Sequence, residues 1–117
     1  MRLIPYIRVS TEEQADTGHS LTVQRETLQR YGVGQDHYLL EALADEGVSG
    51  GRDLSKRKGG HRMLELLRRG DADGVLVTRV DRLFRDLFDA LLFFRECSRK
   101  NWVLVCACEP IDTSSPA

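Results

Sequence analysis

Arg2-Leu3-Ile4-Pro5-Tyr6-Ile7-Arg8-Val9-Ser10-Thr11 reads as a buried strand through Ile4, Ile7 and Val9. Arg8 and Ser10 stand at its carboxyl end, where a parallel sheet opens to ligands. Side chains alternate along a strand, so Tyr6, Arg8 and Ser10 project to one side. A phenol, a permanent cation and a hydroxyl are thereby aligned. The set suits attack on a phosphate, with Ser10 as nucleophile and Arg8 placed for two-pronged contact with phosphate oxygens. Polar residues that merely meet water at a strand end are the competing reading.

A second polar cluster of the same kind lies further along. Gly74-Val75-Leu76-Val77 is apolar on both faces, as suits a strand inside a parallel sheet, and is followed by Thr78, Arg79, Val80, Asp81, Arg82, Leu83, Phe84, Arg85 and Asp86. If this third strand neighbours the first, their carboxyl ends coincide, and Arg79, Asp81, Arg82 and Arg85 gather near Arg8 and Ser10. Two strands that bring arginines and titratable groups to one edge are harder to explain as surface decoration than either alone.

The intervening chain supplies the other layers. Residues 11–19, with Glu12-Glu13-Gln14 and Gly18, read as a loop; Ser20 is a helix N-cap, and Leu21, Gln24, Leu28 and Tyr31 follow at helical spacing until Gly32 and Gly34. Gln14 and Gln24 are candidates to face the mouth of the first strand, with solvated amides as the alternative. Residues 37–43 are apolar, and their place between a helix and a glycine-rich loop favours a strand. Residues 47–58 read as a mobile loop in which Arg52 and Arg57 are candidate anion contacts. A second helix begins at Gly60, with Met63, Leu66 and Leu67 on its apolar stripe and Gly70 as its C-terminal cap.

Residues 83–99 read as one long helix with two apolar stripes, Leu83, Leu87, Ala90, Leu91 and Phe94 beside Phe84, Phe88 and Leu92. So wide an apolar face points to a subunit interface, or to a helix sandwiched inside its own domain. Asn101 ends the helix, residues 102–108 form a fourth strand, and 109–117 are a polar tail. The expected fold is a three-layer α/β domain around a mostly parallel four-stranded sheet of flavodoxin-like topology.

The 117 residues fit one domain, 41% hydrophobic and 30% charged. A net charge of −1 argues against nucleic-acid binding by bulk electrostatics alone. Lysine occurs only at 56, 58 and 100, and arginine supplies the other cations, a choice that favours planar contact with phosphate. No apolar run is long enough to cross a bilayer and no signal-peptide pattern is seen, so the expected location is the cytoplasm, with no membrane partner. Cys97, Cys106 and Cys108 form no disulfide framework. Cys106 and Cys108 share a strand face like half a metal site, but without a second pair or nearby His they read as buried thiols.

With these residues placed, the pattern resembles the catalytic domain of the serine recombinases, the family of resolvases, DNA invertases and large serine integrases. Tyr6-Ile7-Arg8-Val9-Ser10-Thr11 is similar to the family's nucleophile strand, and Asp81-Arg82-Leu83-Phe84-Arg85-Asp86 to its second signature. Gln14, Gln24, the 45–50 segment with Asp45 and Ser49-Gly50, and Arg57 in Lys56-Arg57-Lys58-Gly59 match further positions. The Gly18-His19-Ser20-Leu21 loop and Ile111-Asp112-Thr113-Ser114 look more like the large integrases than the small resolvases. Three departures stand out: Pro5 removes a ladder donor inside the first strand, Phe84 fills a place usually small, and Arg79 stands where Lys is common.

The resemblance implies that Ser10 attacks a DNA phosphodiester, forms a 5′-phosphoserine link and releases a 3′-hydroxyl, after which strands are exchanged and the reaction reverses. Arg8, Arg82 and Arg85 would supply fixed cations where charge grows on the phosphorane, and Arg57 another when its loop closes. Asp81 would orient an arginine or shuttle a proton; Tyr6, Gln14, Gln24, Asp45 and Arg79 would support the site. No second carboxylate pairs with Asp81 in a two-metal arrangement, so no metal, ATP or other cofactor is expected. The implied partners are double-stranded DNA at a specific recombination site and further copies of the chain, a dimer and, in the active synaptic complex, a tetramer. The chain is expected to be an inactive fragment of a longer recombinase, lacking a long C-terminal helix and a DNA-binding region.

The main alternative is a non-catalytic α/β oligomerisation or regulatory module, favoured by the near-neutral charge. A receiver domain would need an acidic pair that Glu12-Glu13 and Asp81 imitate poorly, and a serine hydrolase would need a signature around His19, His37 or His61.

Overall fold

Strand β1 (Arg2–Val9) is buried at every position after Arg2, which makes it the centre of the sheet rather than an edge. A computed structural model describes residues 1–9, 20–46, 56–84 and 86–113. On one side β1 pairs in parallel with β4 (Gly74–Val77), which pairs in parallel with β5 (Val103–Cys106). The anticipated adjacency of the first strand and the Gly74 strand is therefore present. On its other side β1 pairs in parallel with two short strands, β2 (Tyr38–Leu39) beside Arg2 and Leu3, and β3 (Leu43–Glu46) beside residues 6–9.

The sheet thus has five strands, not four, because the single strand expected over 37–43 is split. Pro5 accounts for the break. Arg2 O accepts from Asp73 N on the β4 side, whereas Leu3 O accepts from Leu40 N on the other. Alternation along the strand turns the Pro5 nitrogen to the same side as Leu3, and a proline nitrogen donates nothing. The ladder lapses after Leu40 and resumes at Leu43.

Helix α1 (Leu21–Gly34) covers one face; helices α2 (Lys58–Arg68) and α3 (Leu87–Lys100) belong to the other. The first core joins Leu3, Ile7, Leu76 and Val105 to Leu28 of α1. The second joins Ile4, Tyr6, Val75, Val77 and Leu104 to Met63, Leu64 and Leu67 of α2 and to Ala90, Phe93 and Cys97 of α3. Three layers result, as expected. Ser20 caps α1 by accepting from Val23 N at 3.2 Å. Gly32 brings α1 against β2: a Cβ there would lie 2.6 Å from Leu39 Cδ1.

Two helix boundaries differ from the sequence reading. Helix α2 starts at Lys58, ahead of Gly60, and ends near Gly70, whose φ of 78° only glycine adopts easily. The helix expected over 83–99 begins only at Leu87, because a 3-10 turn (Val80–Arg82) comes first and Asp86 is extended. The Asp86 carboxylate accepts from Asp89 N at 2.9 Å and so starts the helix there. Leu83 and Phe84 enter the core ahead of it. The expected core stripe is corrected too: Ala90, Phe93 and Cys97 turn inward, while Leu91 joins Phe88 and Leu92 at the surface, with 57%, 65% and 47% exposure. Asn101, at φ 58°, ends α3 as anticipated.

Strand β5 is shorter than the expected 102–108, and residues 111–113 of the expected polar tail turn back onto it. Cys106 N donates to Ile111 O, Asp112 bridges antiparallel to Val105, and Leu104 exchanges bonds with the backbone and hydroxyl of Thr113. The returning segment covers the outer edge of β5. Cys97 and Cys106 are buried, as expected, and burial pushes both thiols up to about 12, with Glu96 adding to it for Cys97 and Glu109 for Cys106; Cys108 is exposed. Among the described residues no cluster of His, Cys, Asp and Glu has the makings of a metal site, and no helix is long and apolar enough to cross a membrane.

Two glycine substitutions test this packing. A Cβ at Gly74 would stand 2.1 Å from Val103 O, a backbone atom, so Gly74→Ala must spread β4 from β5 and is expected to cost about 1–3 kcal/mol. Gly34, in the last turn of α1, has open space around it, and Gly34→Ala is expected to stabilise by about 0.5–1 kcal/mol. Urea unfolding at neutral pH should therefore move the two midpoints in opposite directions.

Candidate active site

The site is built where β1, β3 and β4 end. Asp45 of β3 lies in register with Arg8 and is buried. Its carboxylate accepts three hydrogen bonds: from the Tyr6 hydroxyl at 2.7 Å, from Gly59 N at 2.7 Å and from Gly60 N at 3.0 Å. The last two are backbone donors in the first turn of α2. Asp45 therefore caps that helix from a neighbouring strand, because the residue at the N-cap position, Arg57, makes no side-chain cap bond. Gly59 permits the approach, since a Cβ there would sit 3.0 Å from Asp45 Oδ2.

Arg57 turns inward instead. Its side chain is 1% exposed, and Nη1 donates to the Tyr6 hydroxyl at 3.3 Å and to Arg82 O at 3.0 Å. The loop cation expected to arrive by closure is thus already packed inside this structure. Arg8 and Arg82 grip each other's backbone: Arg8 Nε donates to Arg82 O at 3.3 Å and Nη2 to Asp81 O at 2.9 Å, while Arg82 Nη1 donates to Arg8 O at 3.1 Å. Gln24 of α1 is buried rather than solvated, and its amide nitrogen also donates to Arg8 O, at 3.2 Å.

The electrostatics follow from this geometry. Among the described residues three buried arginines, Arg8, Arg57 and Arg82, and one buried carboxylate, Asp45, lie at this end of the sheet, and the exposed Asp81 carboxylate stands 3.7 Å from Arg82 Nε. A guanidinium keeps its proton in any such site. Several of their contacts are backbone carbonyls, which hold the groups in place without cancelling their charge. Burial pushes the Tyr6 phenol well above its ordinary 10.0; the neighbouring Arg57 opposes the shift and Asp45 adds to it. Tyr6 thus stays a neutral donor to Asp45. The arrangement gathers cations at the carboxyl end of the sheet, suited to an anion on which negative charge grows.

Asp81 and Arg79 lie on the exposed side of this cluster. Asp81 is exposed, with Oδ1 3.7 Å from Arg82 Nε, and Arg79 is exposed beside Glu109, Nη2 to Oε2 3.9 Å. Ser10, which follows Val9 directly, Gln14 and Arg85 lie outside the described residues, as does the 47–55 stretch with Arg52. Sequence reasoning missed Glu109, whose Oε1 accepts from Val80 N at 2.7 Å at the head of the 3-10 turn. Its only sequence signal is an acidic residue just past a strand end, which is too common to single out.

Residues 3–117 match the family described as the resolvase N-terminal domain. The chain belongs to the resolvase family. Among solved structures, this resolvase domain is similar to the N-terminal catalytic domain of TP901-1 integrase, with a TM-score of 0.88, 29% identity, and coverage of 98% of this chain and 84% of that one. It is similar also to a resolvase-family site-specific recombinase from Streptococcus pneumoniae, with a TM-score of 0.80, 27% identity and coverage of 99% and 78%. A putative DNA recombinase of Bacillus subtilis (strain 168) is 35% identical over 100 residues, 86% of this chain but 19% of that protein. The chain thus spans about a fifth of that relative's length. An uncharacterized immunity region protein 3 of Bacillus phage phi105 is 39% identical over 71 residues, 61% of this chain and 79% of that protein.

The raised phenol and thiols set the alkaline stability of the domain. A group whose folded pKa lies above its unfolded value contributes stability below the unfolded value, and that stability is lost as pH rises past it. Stability should therefore fall above pH 9.0 as unfolded Cys97 and Cys106 ionise, and more steeply above pH 10.0 as unfolded Tyr6 does. Tyr6→Phe strips a donor from Asp45 and an acceptor from Arg57, at an expected cost of about 1–3 kcal/mol at neutral pH. It should also flatten the steeper segment, as read by urea midpoints from pH 8 to 11 (about a unit on either side of those values).

Proposed function

We propose that this chain is the catalytic domain of a serine recombinase that carries out site-specific DNA recombination, with Ser10 as its nucleophile. The observation that carries the reading is the cluster of Arg8, Arg57 and Arg82, buried at the carboxyl end of the strand that leads directly into Ser10. Ser10 Oγ attacks the phosphorus, the bond to the 3′ oxygen breaks, and that oxygen leaves with a proton as a 3′-hydroxyl. One phosphoester replaces another, so resealing in the reverse direction needs no ATP. Charge that builds on the phosphoryl oxygens meets Arg8 and Arg82, with Arg57 behind them and Arg85 as a further cation. Asp81 orients Arg82 or moves the proton; Tyr6, Gln24 and Asp45 hold the arginines; Gln14 and Arg79 have supporting roles. Because guanidinium groups meet the charge, the chemistry is proposed to run without a metal or other cofactor.

The domain is proposed to work within a longer cytoplasmic protein whose further regions hold double-stranded DNA, and to be inactive alone. Assembly into dimers, and tetramers in the synaptic complex, is supported by the exposed Phe88, Leu91 and Leu92 of α3. The second reading is the non-catalytic α/β oligomerisation or regulatory module. It is favoured by the phage phi105 relative, 79% of whose length aligns with 61% of this chain.

One experiment separates the two. The full-length protein is incubated with chelator and DNA that carries its native site, quenched with detergent, and assayed for protein attached to 5′ ends. The expected outcome is an adduct that forms in chelator and is lost in Ser10→Ala. Arg82→Lys keeps the charge but not the planar grip on Arg8 O, and should slow adduct formation by about 10²–10³. Folded, DNA-bound protein that forms no adduct would establish the module instead.

A further inference from the structure

We infer that Glu109 is a positioning residue that holds the Val80–Arg82 turn, and through it the arginine cluster, in place. The inference rests on the recombinase reading for its consequence in catalysis; its structural part stands alone. A short helical turn needs acceptors for its leading N–H groups, normally supplied by the side chain at the N-cap. Here the N-cap is Arg79, which offers no acceptor and makes no side-chain cap bond. Glu109 supplies it from the turn after β5, with Oε1 accepting from Val80 N at 2.7 Å. Its second oxygen faces Arg79 Nη2 at 3.9 Å.

The turn that carries Glu109 is itself pinned on two sides. Towards β4, Ala107 N donates to Val77 O at 2.8 Å and Cys108 N to Thr78 O at 3.0 Å, which extends the β4–β5 pairing past both strands. Away from it, Cys106 N donates to Ile111 O at 2.9 Å and Thr113 N to Leu104 O at 3.0 Å. The carboxylate is therefore presented from a fixed backbone. From Val80 the effect reaches the cluster in one step. Arg82 closes the turn through its N–H to Arg79 O at 3.1 Å, and its own carbonyl accepts from both Arg8 and Arg57. A turn free to tilt at its head would shift Arg82 O and Arg82 Nη1 together, and with them the two other guanidinium groups. Glu109 touches none of the reacting atoms in this scheme; it acts through Val80 and Arg82.

The test uses the full-length protein and the 5′-adduct assay at saturating DNA, with DNA affinity measured separately. Glu109→Ala is expected to slow adduct formation between about tenfold and a hundredfold while DNA affinity stays unchanged. Glu109→Gln keeps an acceptor oxygen for Val80 N and should restore most of the rate. Thr113→Val removes the hydroxyl that Leu104 N donates to, and leaves in place both the backbone bond from Thr113 N to Leu104 O that pins the Glu109 segment and the Val80–Arg82 turn. It should lower the Tm and leave the rate at saturating DNA unchanged. Hydrogen exchange at arginine Nε–H, followed by NMR in protein labelled at arginine, should quicken for Arg8 and Arg82 in Glu109→Ala and not in Thr113→Val. Equal slowing by Thr113→Val, or a wild-type rate and wild-type exchange in Glu109→Ala, would overturn the inference. If Glu109→Ala does not fold, Glu109→Asp, one methylene short of Val80 N, stands in with the same expectations. Wild-type protein that forms no adduct would refute the recombinase reading, and the exchange measurement would then decide the role of Glu109 alone.

Discussion

The structure depends on a reciprocal grip between Arg8 and Arg82. Each guanidinium donates to the other residue's backbone carbonyl, so β1 and the turn after β4 are fastened at the point where their ladder has ended. Carbonyls at a strand end would otherwise need water, and buried cations would otherwise need carboxylates. The grip satisfies the carbonyls and holds both guanidinium groups in place. Gln24 and Arg57 add a third and a fourth donor to the same two carbonyls, which draws α1 and α2 into the arrangement.

The two helical segments at this edge share one departure from ordinary capping. Both begin with arginine at the N-cap, Arg57 before α2 and Arg79 before the 3-10 turn, and neither arginine makes a side-chain cap bond. In each case a carboxylate from an adjoining strand end takes over, Asp45 for α2 and Glu109 for the turn. The consequences differ. Asp45 leaves Arg57 to turn inward onto Tyr6 and Arg82, whereas Arg79 stays at the surface beside Glu109. Capping across the fold ties helix stability to sheet pairing, so the edge orders as a unit.

The two outer faces of the domain differ in what they leave exposed. The β5 edge is closed by the chain's own residues 111–113, which guards it against pairing with another strand. Helix α3, by contrast, keeps Phe88, Leu91 and Leu92 exposed along one side. An apolar helix side contacts a partner through side-chain shape rather than open backbone groups, a more selective contact than an unpaired strand edge.

The sequence by itself determined the layers and the central strand. The apolar run of β1, double-sided apolarity in β4, Ser20, Gly70 and Asn101 are local signals, and each strand or helix end stands where its signal stood. The grouping of Arg8 with Arg82 was legible too, because parallel neighbours must share their carboxyl ends. Only the tertiary structure decided what those arginines hold. The split of the edge strand depends on which way the Pro5 nitrogen faces, the burial of Arg57 on a cap supplied by a residue twelve positions earlier, and the role of Glu109 on the pairing of two strand extensions. Hydrogen bonds to backbone carbonyls carry no residue identity. No pattern of side-chain types announces them, and they become visible only when the strands that own those carbonyls lie side by side.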